Sequence, residues 1–275
     1  MGEVDYEVEY NNRARVPENP HLMAGWARDA AAYREKHAPR PIRYGPAARH
    51  VIDFFRGQRQ DNGKAPIVVF IHGGYWQALD GSAFSHLAGG LNAHGVSVAI
   101  PTYDLCPHVT VSEIIAQMRT AMRELARLGE RLVVSGHSAG GHLAACLLAT
   151  DWPGFDSALP FDLVTSAYAI SGLFDLEPLV ATSINKALGL DAAAARAASP
   201  LFWKPPGQGS LDAVVGELES TEYHRQSRTI VEKWGMAGLT TRFGTVPDAN
   251  HFTAIAPLAD PASLMTLRLK ELAGR

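Results

Sequence analysis

The stretch Gly136-His137-Ser138-Ala139-Gly140 sets a serine between glycines two residues away on either side, after the apolar run "RLVVS" and before "HLAACLLA". A serine hydroxyl attacks a carbonyl only when it is exposed and given a base. At a sharp strand-to-helix turn its Oγ stands clear of the strand end. The glycines let strand and helix approach closely, and the helix N-terminus adds partial positive charge. The chemistry this pattern serves is acyl transfer. Attack on a carbonyl creates an oxyanion, which needs hydrogen-bond donors already in place. Ala139, the residue after the serine, offers one backbone N–H. A second source is "FIHGGYW" (70–76), where an apolar run leads into His72-Gly73-Gly74. Glycines weaken a strand but leave backbone N–H groups open to a ligand, so Gly73, Gly74 and Ala139 are the candidate oxyanion donors. Tyr75 and Trp76 beside them are the candidate aromatic wall of a substrate pocket.

The serine needs a general base, and the base needs an orienting carboxylate. In this architecture the chain order is serine, acid, histidine. Of the 11 histidines, His251 in "PDANHFTAIAPL" stands where that order requires, past the last candidate strand and before the closing helix. His137 and His142 flank the elbow, His72 braces the oxyanion loop, and His224 is the rival base. For the acid, Glu219 follows "LDAVVG" by three residues. Asp175 in "SGLFDLEPL" competes with it, and Glu217, Glu222 and Asp248 stand behind. The chain has neither an HExxH signature nor paired CxxC, so the reading calls for no metal and no cofactor.

These residues need a scaffold. Residues 20–36 carry Met23, Trp26, Ala30 and Tyr33 at helical spacing, and "HAPRPIRYGPAA" then breaks the helix with prolines. Strands are expected at "HVIDFF", "PIVVFI", "VSVAIP", "RLVVSG", "FDLVTSAYAIS", "LDAVVG" and "GLTTRFG". "DNGK" (61–64) reads as a turn. Thr110 and Glu113 form a capping box for a helix with inner face Ile115, Met118, Met122 and Leu125, ended by Gly129. Residues 142–149 and 191–198 read as helices. The closing helix is expected to start with Asp260 as N-cap and Pro261 at its first helical position, and to stop at Gly274. Apolar strands alternating with helices specify an α/β fold with a mostly parallel central sheet and helices on both faces. Residues 1–275 read as a single domain. Segments 1–45 and 172–208 break the strand–helix rhythm and are expected to cap one end of the sheet.

Composition narrows the class. Hydrophobic residues make up 47% of the 275, enough for one large core. The net charge is −3 with no block of lysine or arginine, which gives little support to nucleic-acid or membrane-surface binding. Two cysteines do not make a disulfide framework and suit a reducing compartment. The first residues, "MGEVDYEVEYNNRARVPENP", are acidic and polar and do not read as a signal peptide, and no segment reads as membrane-spanning. The expectation is a cytoplasmic protein acting on a small-molecule substrate. A homodimer is expected only as a common state of soluble enzymes.

Elbow, oxyanion loop and histidine together resemble the α/β-hydrolases of the hormone-sensitive-lipase-like branch, and within it the kynurenine formamidase (arylformamidase) family. The resemblance rests on "YNNRARVP" (10–17), "HGGYWQ" (72–77), "YDLCP" (103–107), "GHSAGGHL" (136–143), "ISGLFDLEPL" (170–179), "EYHRQS" (222–227) and "NHF" (250–252). It implies an α/β-hydrolase fold with Ser138 as nucleophile, His251 as base and Gly73, Gly74 and Ala139 as oxyanion donors. It also implies that "FDLEPL" does not supply the acid. The family usually has aspartate where this chain has Glu219. The activity implied is hydrolysis of an aryl formamide resembling N-formylkynurenine through an acyl-enzyme. A carboxylesterase for small acyl esters would use the same residues. A non-catalytic binding protein on the same fold is the reading of another class, and the presence of both Ser138 and His251 argues against it.

Overall fold

The strands Ile67–Ile71 and Leu132–His137, which lead into the candidate oxyanion loop and the Ser138 turn, are buried at every residue. The computed structural model describes residues 4–58, 66–128 and 131–274. The turn expected at residues 61–64 and the stop expected at Gly129 lie outside them. Strands β1 (Arg40–Arg43), β2 (Val51–Phe55), β3 (Ile67–Ile71), β4 (Ser97–Thr102), β5 (Leu132–His137), β6 (Val164–Ile170), β7 (Ser210–Gly216) and β8 (Thr240–Val246) form a single sheet. Their order is β1-β2-β4-β3-β5-β6-β7-β8, with β2 antiparallel to both neighbours and the other pairs parallel. Register does the positioning. Ile71 pairs with Gly136 and His137 with Ile170, so β3, β5 and β6 end level with one another. Gly216 pairs with Val246 further along the same edge of the sheet. The loops after β3, β5, β7 and β8 therefore meet at the carboxyl ends of the strands, where open α/β sheets place their sites.

Both faces are covered, as the sequence leads one to expect. The helices are α1 (Tyr6–Tyr10), α2 (Asn12–Arg15), α3 (Asn19–Lys36), α4 (Ala88–Ala93), α5 (Val111–Leu125), α6 (Ala139–Leu148), α7 (Trp152–Phe155), α8 (Asn185–Leu188), α9 (Ala192–Ala197), α10 (Thr221–Met236) and α11 (Leu264–Leu272). In β3, Ile67, Val69 and Ile71 join one core with Met118 of α5, Leu143 of α6 and Trp234 of α10. Val68 and Phe70 join the opposite core with Leu91 of α4 and Met265 of α11, and Trp26 and Tyr33 of α3 pack against it. The Thr110–Glu113 capping box forms, and Met118, Met122 and Leu125 are buried below it.

Three expectations change. The "PRPIR" stretch, read as a helix breaker, is edge strand β1. Pro41 is tolerated there because an edge strand can leave a missing N–H on its open side. Residues 40–43 thus leave the cap and join the sheet. The closing helix starts later than expected. Ser263 is its N-cap, accepting from Thr266 N–H at 3.1 Å, while Asp260 holds the preceding turn by accepting from Ala262 N–H at 2.8 Å. Glu7 of α1 accepts from the N–H and hydroxyl of Ser183, both at 2.7 Å, tying the N-terminal segment to the 172–208 segment. Among the described residues, no helix is long and apolar enough to cross a membrane.

Candidate active site

Ser138 occupies the turn between β5 and α6 with φ 56° and ψ −117°, a backbone region that L residues adopt only under constraint. The flanking glycines supply that constraint. A Cβ on Gly136 would lie 2.2 Å from the Gly140 carbonyl oxygen, and one on Gly140 would lie 1.9 Å from that of Ile71. Only glycine lets α6 press this closely on β5 and β3. Ser138 N–H donates to the Ile170 carbonyl at 2.8 Å, locking the turn to β6.

His251 stands after β8, with its Nδ1 2.6 Å from Glu219 Oε2. The Glu219 side chain is wholly buried and that of His251 is 8% exposed. The other carboxylate oxygen accepts from Gly216 N–H at 2.7 Å and from the Ser171 hydroxyl. With one oxygen committed to these donors, the second faces the imidazole, which fixes its Nδ1–H tautomer and leaves Nε2 free to accept a proton. Among the described residues the rival acids do other work. The Asp175 carboxylate accepts from Glu177 N–H at 3.0 Å, and burial raises its pKa. Glu217 accepts from Asp248 N–H at 3.1 Å, and Glu222 pairs with Arg225 at 2.7 Å. The rival base His224 points to the Glu217 carbonyl. Ser138 and His251 line one cavity of about 390 Å³. Among the described residues Ser138 Oγ makes no hydrogen bond to His251, and nucleophile–base bonds are often long until substrate is seated.

Gly73 and Gly74 line the same cavity. A Cβ on Gly73 would lie 2.8 Å from the His137 carbonyl oxygen and 3.1 Å from Ser138 Cβ. Gly74 needs its glycine for a φ of +107°. Among the described residues neither N–H donates a hydrogen bond, so both remain available to a ligand. His72 holds the loop from beneath. Its Nδ1 lies 2.8 Å from the Gly73 carbonyl, and its ring stacks on Tyr103 at 4.2 Å. Complete burial pushes its pKa down to about 4, so it braces the loop as a neutral ring. His137, also buried and held neutral by desolvation, packs against the His251 ring at 4.6 Å.

The expected aromatic pair divides. Tyr75 lines the cavity, but Trp76 does not. Trp76 is completely buried in the core, edge-on to His142 at 5.0 Å, because the turn sends the two side chains opposite ways. Trp26, Phe84 and Phe252 join Tyr75 in the aromatic lining, with the Trp26 ring 5.2 Å from Phe84 and 5.9 Å from Phe252. Phe252 adjoins His251 in sequence and so carried a signal, whereas Trp26 and Phe84 reach the site only through packing. Sequence reasoning also missed a buried polar cluster. The Tyr75 hydroxyl donates to the Tyr10 carbonyl at 2.6 Å and lies 2.7 Å from the Tyr223 hydroxyl, to which Asn12 Nδ2 donates at 2.8 Å. The Tyr223 ring lies 4.7 Å from that of His251. This cluster joins α1, α2 and α10 around the candidate site.

The chain is similar to known proteins in sequence and fold. The BD-FAE family model matches residues 52–161. The kynurenine formamidase of Danio rerio is 29% identical over 242 residues, covering 85% of this chain and 81% of that protein. That of Salmo salar is 31% identical over 219 residues, covering 76% and 74%. The crystal structure of a putative thioesterase from Silicibacter sp. TM1040 superposes with a TM-score of 0.85 at 33% identity, covering 96% of this chain and 98% of that one. The chain is a hydrolase with the α/β-hydrolase fold, and it belongs to the kynurenine formamidase family.

Proposed function

We propose that the protein is a serine hydrolase that cleaves an aryl formamide resembling N-formylkynurenine. The observation that carries the reading is the buried 2.6 Å contact between His251 Nδ1 and Glu219, placed beside a strained Ser138 in one cavity. His251 Nε2 takes the Ser138 proton as Oγ attacks the formyl carbon. Glu219 holds the imidazole tautomer and offsets the imidazolium charge. Backbone N–H groups of Gly73, Gly74 and Ala139 receive the oxyanion. His251 then protonates the departing aryl amine, and water releases formate from the formyl-enzyme by the same steps. The similarity to kynurenine formamidases supports the formamide, and the aromatic lining suits an aryl leaving group.

The test sets N-formyl-L-kynurenine beside a series of 4-nitrophenyl acyl esters, with Ser138→Ala as the blank. The expected result is a kcat/KM for the formamide higher by orders of magnitude, and none for the variant. Turnover of short esters alone would replace the formamide with a small acyl ester as substrate. An active Ser138→Ala would remove the serine mechanism altogether.

A further inference from the structure

Among the described side chains that line the cavity, histidines aside, Arg13 alone carries a formal charge. The rest of the lining is aromatic, aliphatic, thioether, amide or hydroxyl. The Arg13 guanidinium is exposed, and among the described residues it has no hydrogen-bond or ion-pair partner. Of the carboxylates near it in sequence, Glu18 makes no ion pair with it among the described residues, and Glu7 and Glu9 are engaged elsewhere. Glu7 accepts from Ser183 and from Asn11 Nδ2, and Glu9 accepts from the Thr221 hydroxyl at 2.8 Å and Glu222 N–H at 3.0 Å.

The backbone beneath Arg13 is held with unusual care for a four-residue helix. Asn11 caps α2 by accepting from Ala14 N–H at 3.2 Å. Buried Asn12 ties it to Tyr223, and buried Asn19 donates to the Arg13 carbonyl at 3.1 Å. Buried polar side chains are costly unless bonded, and here two, Asn12 and Asn19, help fix one short turn at the cavity rim. That turn holds the Arg13 cation at the cavity that Trp26, Phe84 and Phe252 also line.

We infer that Arg13 is a specificity-determining residue: it selects substrates whose leaving group carries a carboxylate beyond the aryl ring. This rests on the formamide reading above and adds a charge requirement to it. A guanidinium suits this task because its planar fork matches a carboxylate with two parallel N–H donors. The ring enters the aromatic flank, the formyl carbon meets Ser138, and the anionic tail stays at the rim on Arg13.

The experiment compares matched acid and neutral substrates on wild type, Arg13→Gln and Arg13→Lys. The formamide pair is N-formyl-L-kynurenine and its primary carboxamide, read by formate release. The ester pair is 4-acetoxybenzoate and 4-acetoxybenzamide. The quantity read is the ratio of kcat/KM for acid over amide. It should favour the acid by about tenfold in wild type, mainly through KM. It should collapse in Arg13→Gln, persist in part in Arg13→Lys, and shrink at 0.5 M salt, at roughly which concentration screening shortens to a few ångströms. A variant that merely disturbs the fold lowers both rates and leaves the ratio alone. An unchanged ratio in Arg13→Gln overturns the inference. If wild type cleaves neither formamide, the formamide reading falls, and the ester pair alone then decides whether Arg13 selects anions.

Discussion

Replacing Glu219 by glutamine changes one atom at a buried site, and its effect follows from the bonds counted there. One carboxylate oxygen accepts from Gly216 N–H and the Ser171 hydroxyl. Both partners there are donors, so a glutamine must keep its carbonyl oxygen on that side. Its NH₂ then faces His251 Nδ1 across the present 2.6 Å contact. Two donors cannot share that line, so the ring reverses its tautomer: Nδ1 accepts and Nε2 carries the proton. The base is then blocked. Loss of a charge-assisted bond to the imidazolium costs about 3 kcal/mol, roughly two decades of rate. Reversal of the tautomer brings the loss to about 10⁴ in kcat, the size seen when a protease triad aspartate becomes asparagine. Because the bonds to Gly216 and Ser171 survive, thermal stability should shift little. Formate release with the preferred substrate, alongside a melting curve, provides the assay. Glu219→Gln retaining more than about a tenth of wild-type kcat would refute the assignment of Glu219 as orienting acid.

Two further expectations separate packing from chemistry. A Cβ on Gly140 would meet the Ile71 carbonyl at 1.9 Å, so Gly140→Ala should destabilise the fold by about 3 kcal/mol or more, seen as a lowered urea midpoint; Gly73→Ala meets softer contacts at 2.8 and 3.1 Å and should lose kcat while staying folded. His72 and His142, both held neutral by burial with pKa values of about 4, protonate in the unfolded chain near 6.5 and in the folded chain only near 4. The stability they contribute is present above pH 6.5 and is lost as pH falls toward 4, each adding up to about 1.4 kcal/mol per pH unit to the slope. Urea midpoints between pH 7 and 4.5 should show that slope, and His142→Gln should flatten it by one such increment; an identical slope in the variant would contradict the burial argument.

Legibility in the sequence followed locality. The elbow could be read because its glycines and serine sit within five residues, between an apolar strand and a helix. Glu219 and His251 could be placed because chain order and strand ends confine them. What escaped depends on distant partners. Asn12, Tyr10 and Tyr223 are unremarkable polar or aromatic positions until hydrogen bonds spanning more than 200 residues bring them together. Helix α10 carries buried Glu222, Gln226 and Ser227 on its inward face, so its apolar period was blurred and no helix was expected there. Trp76 was misread because one turn residue decides which side of a loop a ring faces, and its φ of 57° is a property of the folded turn. Helix α11 began late because Asp260-Pro261 satisfies a turn as readily as a helix start.

The cluster that joins α1 and α2 to α10 also has a consequence in time. Its partners are separated by 211 and 212 residues, so Tyr10 and Asn12 wait for residues synthesised more than 200 positions after them. The free-energy cost of closing so long a loop rises only logarithmically, but the contact still forms late, after the sheet that presents α10 exists. The elbow can thus be complete while one wall of its chamber is missing. Time-resolved refolding should accordingly find sheet structure first and hydrolytic activity after a lag.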